Sequence, residues 1–244
     1  MIMQFQIGIA GKTINIFCLY DRVRYRCEDY LTHEEISDFS VYITRDDLKK
    51  EEAIINAEGD PRVSFTSDLV LEDIAVYRKI CDEMLNYSTL LMHGAVIAYE
   101  GNAYMFAARS GVGKSTRAEL WLKEYPGSVV VNGDKPLIRI TEDQAIACGT
   151  PWSGKEGWNT NIMVPLKAIF LLERADDGDE SSIAEVSFEE SFPGLLQQVH
   201  HPDNPELMRK ALLLLQSLRG KVKIYKFRST PSPEAIHLAY ETAR

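Results

Sequence analysis

No apolar run in the 244-residue sequence approaches the ~18–20 residues that cross a bilayer, so a membrane-spanning helix is not expected. The first residues, Met1-Ile-Met-Gln-Phe-Gln, have neither the basic start nor the apolar stretch of a signal peptide, and the expected location is cytoplasmic. Basic clusters are missing as well. No run of Lys and Arg is longer than Lys49-Lys50, and 36 acidic against 27 basic residues leave a formal charge of −9. Phosphate backbones and anionic membrane surfaces repel such a chain, which argues against nucleic-acid and membrane partners. Cysteine is scarce. Cys18, Cys27, Cys81 and Cys148 show no CxxC spacing and no paired histidine nearby, so buried reduced thiols are expected rather than zinc. Low-complexity tracts and internal repeats are absent, and the 45% hydrophobic content is that of a globular chain with a sizeable core.

What is present falls into two regions. Gln4 to Ile9 and Thr13 to Leu19 alternate in polarity across Ala10-Gly11, which predicts a hairpin, and Ser40 to Thr44 is a third candidate strand. The polar stretch from Arg45 to Glu58 reads as a solvated loop or a short surface helix. From Leu71 the period turns helical, with Leu71, Ile74, Ala75, Ile80, Met84 and Leu85 on one face and Ser67 or Asp68 as a start signal. Beyond residue 88 strands and helices alternate. Leu90 to Tyr99 and Ala103 to Ala107 form a predicted hairpin, a helix runs to Glu124, and Ser128 to Val131 is a short buried-type strand. Leu137–Ile140 and Ala145–Cys148 predict another hairpin, and Leu166 to Leu172 an interior strand. The acids between Glu173 and Glu190 read as a solvated loop and helix start. Helices over Phe188–Val199, Pro205–Leu218 and Ser232–Thr242, with a strand over Val222–Phe227, complete the pattern. The fold expected is α/β with a mixed sheet: a β-rich N-terminal region over 1–88 that ends in a helix, then a core over 89–244.

The strongest signal is Ser110-Gly111-Val112-Gly113-Lys114-Ser115-Thr116 between a strand and a helix. Glycines let successive backbone N–H groups turn inward on phosphates, Lys114 neutralises them, the Ser115 hydroxyl suits Mg²⁺, and a helix N-terminus follows. One position departs from the G-x-x-x-x-G-K-[ST] pattern, because Ala108 stands where a first glycine is usual. Gly149 to Lys155 repeats the spacing, but Glu156 takes the hydroxyl's place and no helical period follows. A loop so rich in Gly, Trp, Asn and Lys is still a candidate functional segment. Asp134, 20 residues after Lys114 and closing a buried-type strand, is the natural carboxylate partner for Mg²⁺. His93 leads the hairpin that delivers the glycine-rich loop.

His93-Gly94, a hairpin, the segment from Ser110 to Ser115 and Asp134 after a short strand together resemble the catalytic core of the HPr kinase/phosphorylase family. Its P-loop fold is shared with phosphoenolpyruvate carboxykinases, and the small HPr-kinase-like proteins of bacterial gene clusters, some of which phosphorylate peptides, are similar too. The resemblance spans roughly residues 90 to 175. It implies that Ser110 to Thr116 hold the phosphates of ATP, with Ser115 and Asp134 on Mg²⁺. It also implies that His93 lies near the transferred phosphate and that Asp134 is one member of a catalytic Asp-Asp pair whose other position is Gly133 here. Lys155 is a candidate clamp on the phosphoryl group. Relatives in the family assemble, so a homo-oligomer is a further expectation. The activity expected is ATP-dependent phosphoryl transfer to a hydroxyl of a peptide, protein or small molecule. A nucleotide-binding module without transfer and a carboxykinase-like enzyme are the alternatives.

Overall fold

The computed structural model describes residues 2–58, 67–109, 111–175 and 180–244, which form two compact units, Met1–Glu83 and Met84–Arg244. Among the described residues no helix is long and apolar enough to cross a membrane.

The first unit is built on a four-stranded sheet. Strands β1 (Met3–Ile9) and β2 (Lys12–Cys18) pair antiparallel across Ala10-Gly11, where φ is +52° and +72°. Two left-handed residues give the turn the twist that a two-residue hairpin needs. A short helix α1 (Arg22–Arg26) follows. Strands β3 (Leu31–Thr32) and β4 (Phe39–Tyr42) then flank the hairpin in the order β3-β1-β2-β4, with β4 parallel to β2. The polar stretch beginning at Arg45 is a 14-residue helix, α2 (Arg45–Glu58). Buried Leu48 anchors it, and buried Glu51 pairs with Arg78 at 2.8 Å. Helix α3 (Asp68–Met84) carries the buried Glu72, whose carboxylate accepts the backbone N–H groups of Leu19 and Tyr20 just past β2.

The second unit is a mixed α/β layer structure, as the alternation of elements predicts. Its strands are β5 (Thr89–Leu91), β6 (Ala95–Tyr99), β7 (Asn102–Ala107), β8 (Val129–Asn132), β9 (Leu137–Ile140), β10 (Ala145–Cys148), β11 (Met163–Arg174), β12 (Ser182–Glu185) and β13 (Lys223–Ser229). They form a sheet of order β5-β9-β10-β11-β7-β6-β8, with β13 also on β11 and β12 on β13. The pairings β7–β11 and β11–β13 are parallel. Long β11 makes the branching possible: Met163–Pro165 pair with β10, and Ala168–Arg174 pair with β13.

Alternation decides which side chains meet which helix. Tyr104 and Phe106 of β7 face one way with Trp121 of α4 (Lys114–Glu124) and Tyr240 of α7 (Pro233–Ala243). Met105 and Ala107 face the other way, with Leu195 of α5 (Phe188–Leu196) and Leu215 of α6 (Pro205–Gln216). Both faces of the sheet are thus covered. The four cysteines are buried free thiols, and burial raises Cys18 and Cys148 to about 12 and Cys27 higher.

Two sequence expectations change. The stretch from Leu90 to Tyr99 is not one strand. It breaks at Met92–Gly94, so that β5 pairs with β9 while β6 pairs with β7 and β8. Gly94 permits the break, because a Cβ there would stand 2.4 Å from the Met105 side chain and 3.0 Å from the Phe106 carbonyl. Part of the acidic stretch is strand β12, whose partner β13 lies far along the chain and leaves no local signature.

Candidate functional site

Strand β7 runs into residues 108–113 and then into α4. Gly111 and Gly113 have φ of +85° and +95°, a region that L side chains rarely adopt, so both glycines serve the backbone. Ala108 does not: it is not among the positive-φ residues, and alanine there carries no strain. Its carbonyl instead accepts the Lys114 ammonium at 2.9 Å, with the Arg109 carbonyl at 3.4 Å. Burial lowers the Lys114 pKa, while the Asp134 charge opposes that shift. Ser115 is half-buried and Thr116 exposed. Ser110 lies outside the described residues.

Helix α4 starts unlike its neighbours. Ser187, Asn204 and Ser232 each cap α5, α6 and α7 by accepting a backbone N–H. Gly113 caps α4 with no side chain, and the first turn holds no acid. The first-turn N–H groups and the positive end of the helix dipole are left for an outside anion.

Beneath the loop lies Arg117, fully buried. Its guanidinium donates to the carbonyls of Val112 (3.0 Å) and Gly113 (3.4 Å). It also reaches the Ser229 carbonyl (2.6 Å) and hydroxyl (2.8 Å) at the end of β13. Burial lowers its pKa to about 10, so the group stays charged at neutral pH. No carboxylate among the described residues pairs with it. In the sequence Arg109 and Arg117 only flank the loop, and one arginine three positions into a helix does not announce a buried role.

Asp134 follows β8, which β6 separates from β7 in the sheet. The turn that carries it is set by buried Asn132. The Asn132 side-chain oxygen accepts the N–H groups of Asp134 (2.9 Å) and Lys135 (2.6 Å), and its amide donates to Thr150 and Trp152. The Asp134 carbonyl accepts the Gly94 N–H at 3.0 Å, which fixes the broken strand and His93 beside it. The Asp134 carboxylate itself makes no hydrogen bond or ion pair with a described residue. Its Cβ is 3.1 Å from the point where a Cβ on Gly154 would stand.

The segment from Gly149 to Thr160 is therefore a strap around the end of β8, not a second phosphate loop. Gly149 donates to Ile162 and Thr160 to Val131, and the Thr160 hydroxyl reaches Val130. Gly133 is held by the same strap. A Cβ there would come within 3.1 Å of the Ser153 carbonyl, so space rather than backbone conformation selects glycine where a second acid would stand. Lys155 is exposed, one residue beyond the glycine packed on Asp134. A methyl group at Gly149 would lie 1.9 Å from the Thr160 backbone oxygen. Gly149→Ala is accordingly expected to destabilise this unit by about 2–3 kcal/mol, read as a lowered urea midpoint.

His93 is half-buried and donates its backbone N–H to the Gln198 carbonyl at 2.6 Å. Burial depresses its imidazole to about 4; the Asp134 charge pulls upward, while Lys135, Lys114 and His200 push further down. His93 is thus neutral at neutral pH, a hydrogen-bonding group and not a cation. The consequence for folding has a definite sign. Between pH 4 and 6.5 the unfolded chain binds a proton that the native state refuses, so stability falls as pH drops through that window. After allowance for partial exposure, the loss is about 1–2 kcal/mol. Urea unfolding at pH 7 and pH 5 should show it, and His93→Asn should flatten the difference.

The chain matches no protein-family model and no curated protein sequence. Among solved structures it is similar to the HPr(Ser) kinase/phosphatase from Coxiella burnetii. The likeness covers 62% of this chain and 94% of that one, at 10% identity and a TM-score of 0.35. That is a distant structural relationship.

Proposed function

We propose that the second unit is an ATP-dependent kinase that transfers the γ-phosphate to a hydroxyl. The observation that carries this reading is the uncapped, glycine-turned N-terminus of α4 with Lys114 folded over it and the unpaired Asp134 carboxylate close enough to act on both Lys114 and His93. Phosphoryl transfer is achieved mostly by positioning and by charge stabilisation, and these are the groups for it. The N–H groups of Gly111 to Ser115 bind the phosphate chain. Lys114 exchanges its two carbonyl partners for β- and γ-phosphate oxygens. Asp134 accepts the acceptor's proton, and neutral His93 offers a hydrogen bond at the same place. Exposed Lys155 can swing over the phosphoryl group.

Mg²⁺ fits the residues present: one hydroxyl at Ser115 and one unpaired carboxylate at Asp134 are the oxygen ligands that Mg²⁺ uses alongside substrate phosphates. When bound, it would neutralise charge on the β- and γ-phosphates. The strap that closes over Gly133 leaves Asp134 as the one carboxylate at this turn, shared between metal and proton.

Titration of the purified chain with Mg·ATP by calorimetry, followed by ³³P transfer to mixed acceptors, tests the reading. Binding with transfer supports it. Binding without turnover under any acceptor would leave a nucleotide-binding module, and no binding would end the reading altogether.

A further inference from the structure

A charged side chain taken fully out of water is costly unless an opposite charge lies near it. Arg117 is such a group. What holds its guanidinium is neutral: the carbonyls of Val112, Gly113 and Ser229, the Ser229 hydroxyl, and the Phe227 ring, whose centre is 5.8 Å from the guanidinium carbon. Its Nε–H is buried without a partner among the described residues. Carbonyl dipoles and a ring face lower the cost of the charge, but they do not cancel it.

Peptide geometry decides where that charge is felt. In a trans peptide the C=O and the N–H that follows it point in opposite directions. The Val112 carbonyl shares its peptide unit with the Gly113 N–H, and the Gly113 carbonyl shares its unit with the Lys114 N–H. With the guanidinium on both oxygens, these two N–H groups face away from Arg117 and are strengthened as donors. They are among the N–H groups read above as holding the phosphate chain. Gly113 is fitted to the same arginine. A Cβ there would stand 3.0 Å from the guanidinium, and φ is +95°, so close approach and backbone conformation both require glycine.

We infer that Arg117 is the buried counter-charge of the anion bound at this loop. It is a positioning residue that acts through the Gly113 and Lys114 N–H groups, and the phosphates of the nucleotide supply the negative charge it lacks among the described side chains. This rests on the nucleotide-binding part of the kinase reading above and not on phosphoryl transfer.

A brace and a counter-charge make different demands. A brace needs the planar fork that spans Val112, Gly113 and Ser229, which lysine cannot copy, whereas a counter-charge needs only a cation at that depth. Arg117→Lys is therefore expected to lower the urea midpoint yet keep Mg·ATP affinity within about threefold of the parent chain. Arg117→Gln keeps a hydrogen-bond donor without the charge, and Arg117→Met keeps only bulk; each should weaken Mg·ATP binding by about tenfold or more. Calorimetry gives the affinities, and urea unfolding shows which variants are folded. Parent-like affinity in Arg117→Gln or Arg117→Met would overturn the inference. So would a folded Arg117→Lys that loses about tenfold or more, which also decides the matter if neither neutral variant folds. A parent chain that does not bind Mg·ATP would instead overturn the reading beneath it.

Discussion

Replacing Lys114 by alanine is expected to weaken Mg·ATP binding by about 10- to 100-fold and to lower phosphoryl transfer by about a thousandfold. The binding figure follows from removing charge-assisted hydrogen bonds of roughly 1.5–3 kcal/mol. The larger kinetic figure reflects charge that develops on the transferred group in a half-buried setting. Truncation leaves little behind, since among the described residues the ammonium bonds only the Ala108 and Arg109 carbonyls at the edge of the loop. The fold should therefore survive. Calorimetry gives the affinity, and single-turnover transfer gives the rate. A variant that binds Mg·ATP as tightly as the parent would show that the loop holds no phosphate.

Asp134→Asn should do the reverse: leave Mg·ATP affinity within a few-fold and cut transfer by about 10²–10⁴-fold, the usual worth of a positioned acid or base. The substitution is clean for a structural reason. Both hydrogen bonds that place residue 134 use its backbone, one from Gly94 to its carbonyl and one from its N–H to Asn132. Asparagine keeps these and alters only the free carboxylate. Measuring kcat and nucleotide affinity side by side separates the two roles. Undiminished transfer would remove Asp134 from the chemistry, whereas lost affinity with normal single-turnover rates would make it a metal ligand alone.

Much of this was readable in the residues because the physics is local. Period-2 and period-3.6 patterns placed the strands and helices of the second unit, and the Gly-Lys-Ser run marked its own turn before any contact was known. The unread features are non-local. Asn132 looks like an ordinary turn residue until Thr150 and Trp152 arrive to take its amide, although an Asn before Gly-Asp is a fair Asx-turn signal. Gln197 acquires meaning only when the end of α5 brings it to Arg109, in a loop some ninety positions earlier. The break at His93 hides inside an unbroken apolar stretch, since β5 and β6 are both buried and both apolar. Ala108 teaches the opposite lesson: a motif glycine matters only where φ demands it, and here φ does not.

The arginine under the loop has a dynamic consequence. Arg117 holds the carbonyls of Val112 and Gly113 with one nitrogen and the carbonyl and hydroxyl of Ser229 with another, so the floor of the loop and the end of β13 share one buried side chain. Local opening of either then strips hydrogen bonds from both. In hydrogen exchange, the amides near the start of α4 should not fray on their own as surface loops do; they should exchange in step with the last residues of β13, at the rate of a sheet edge coming apart.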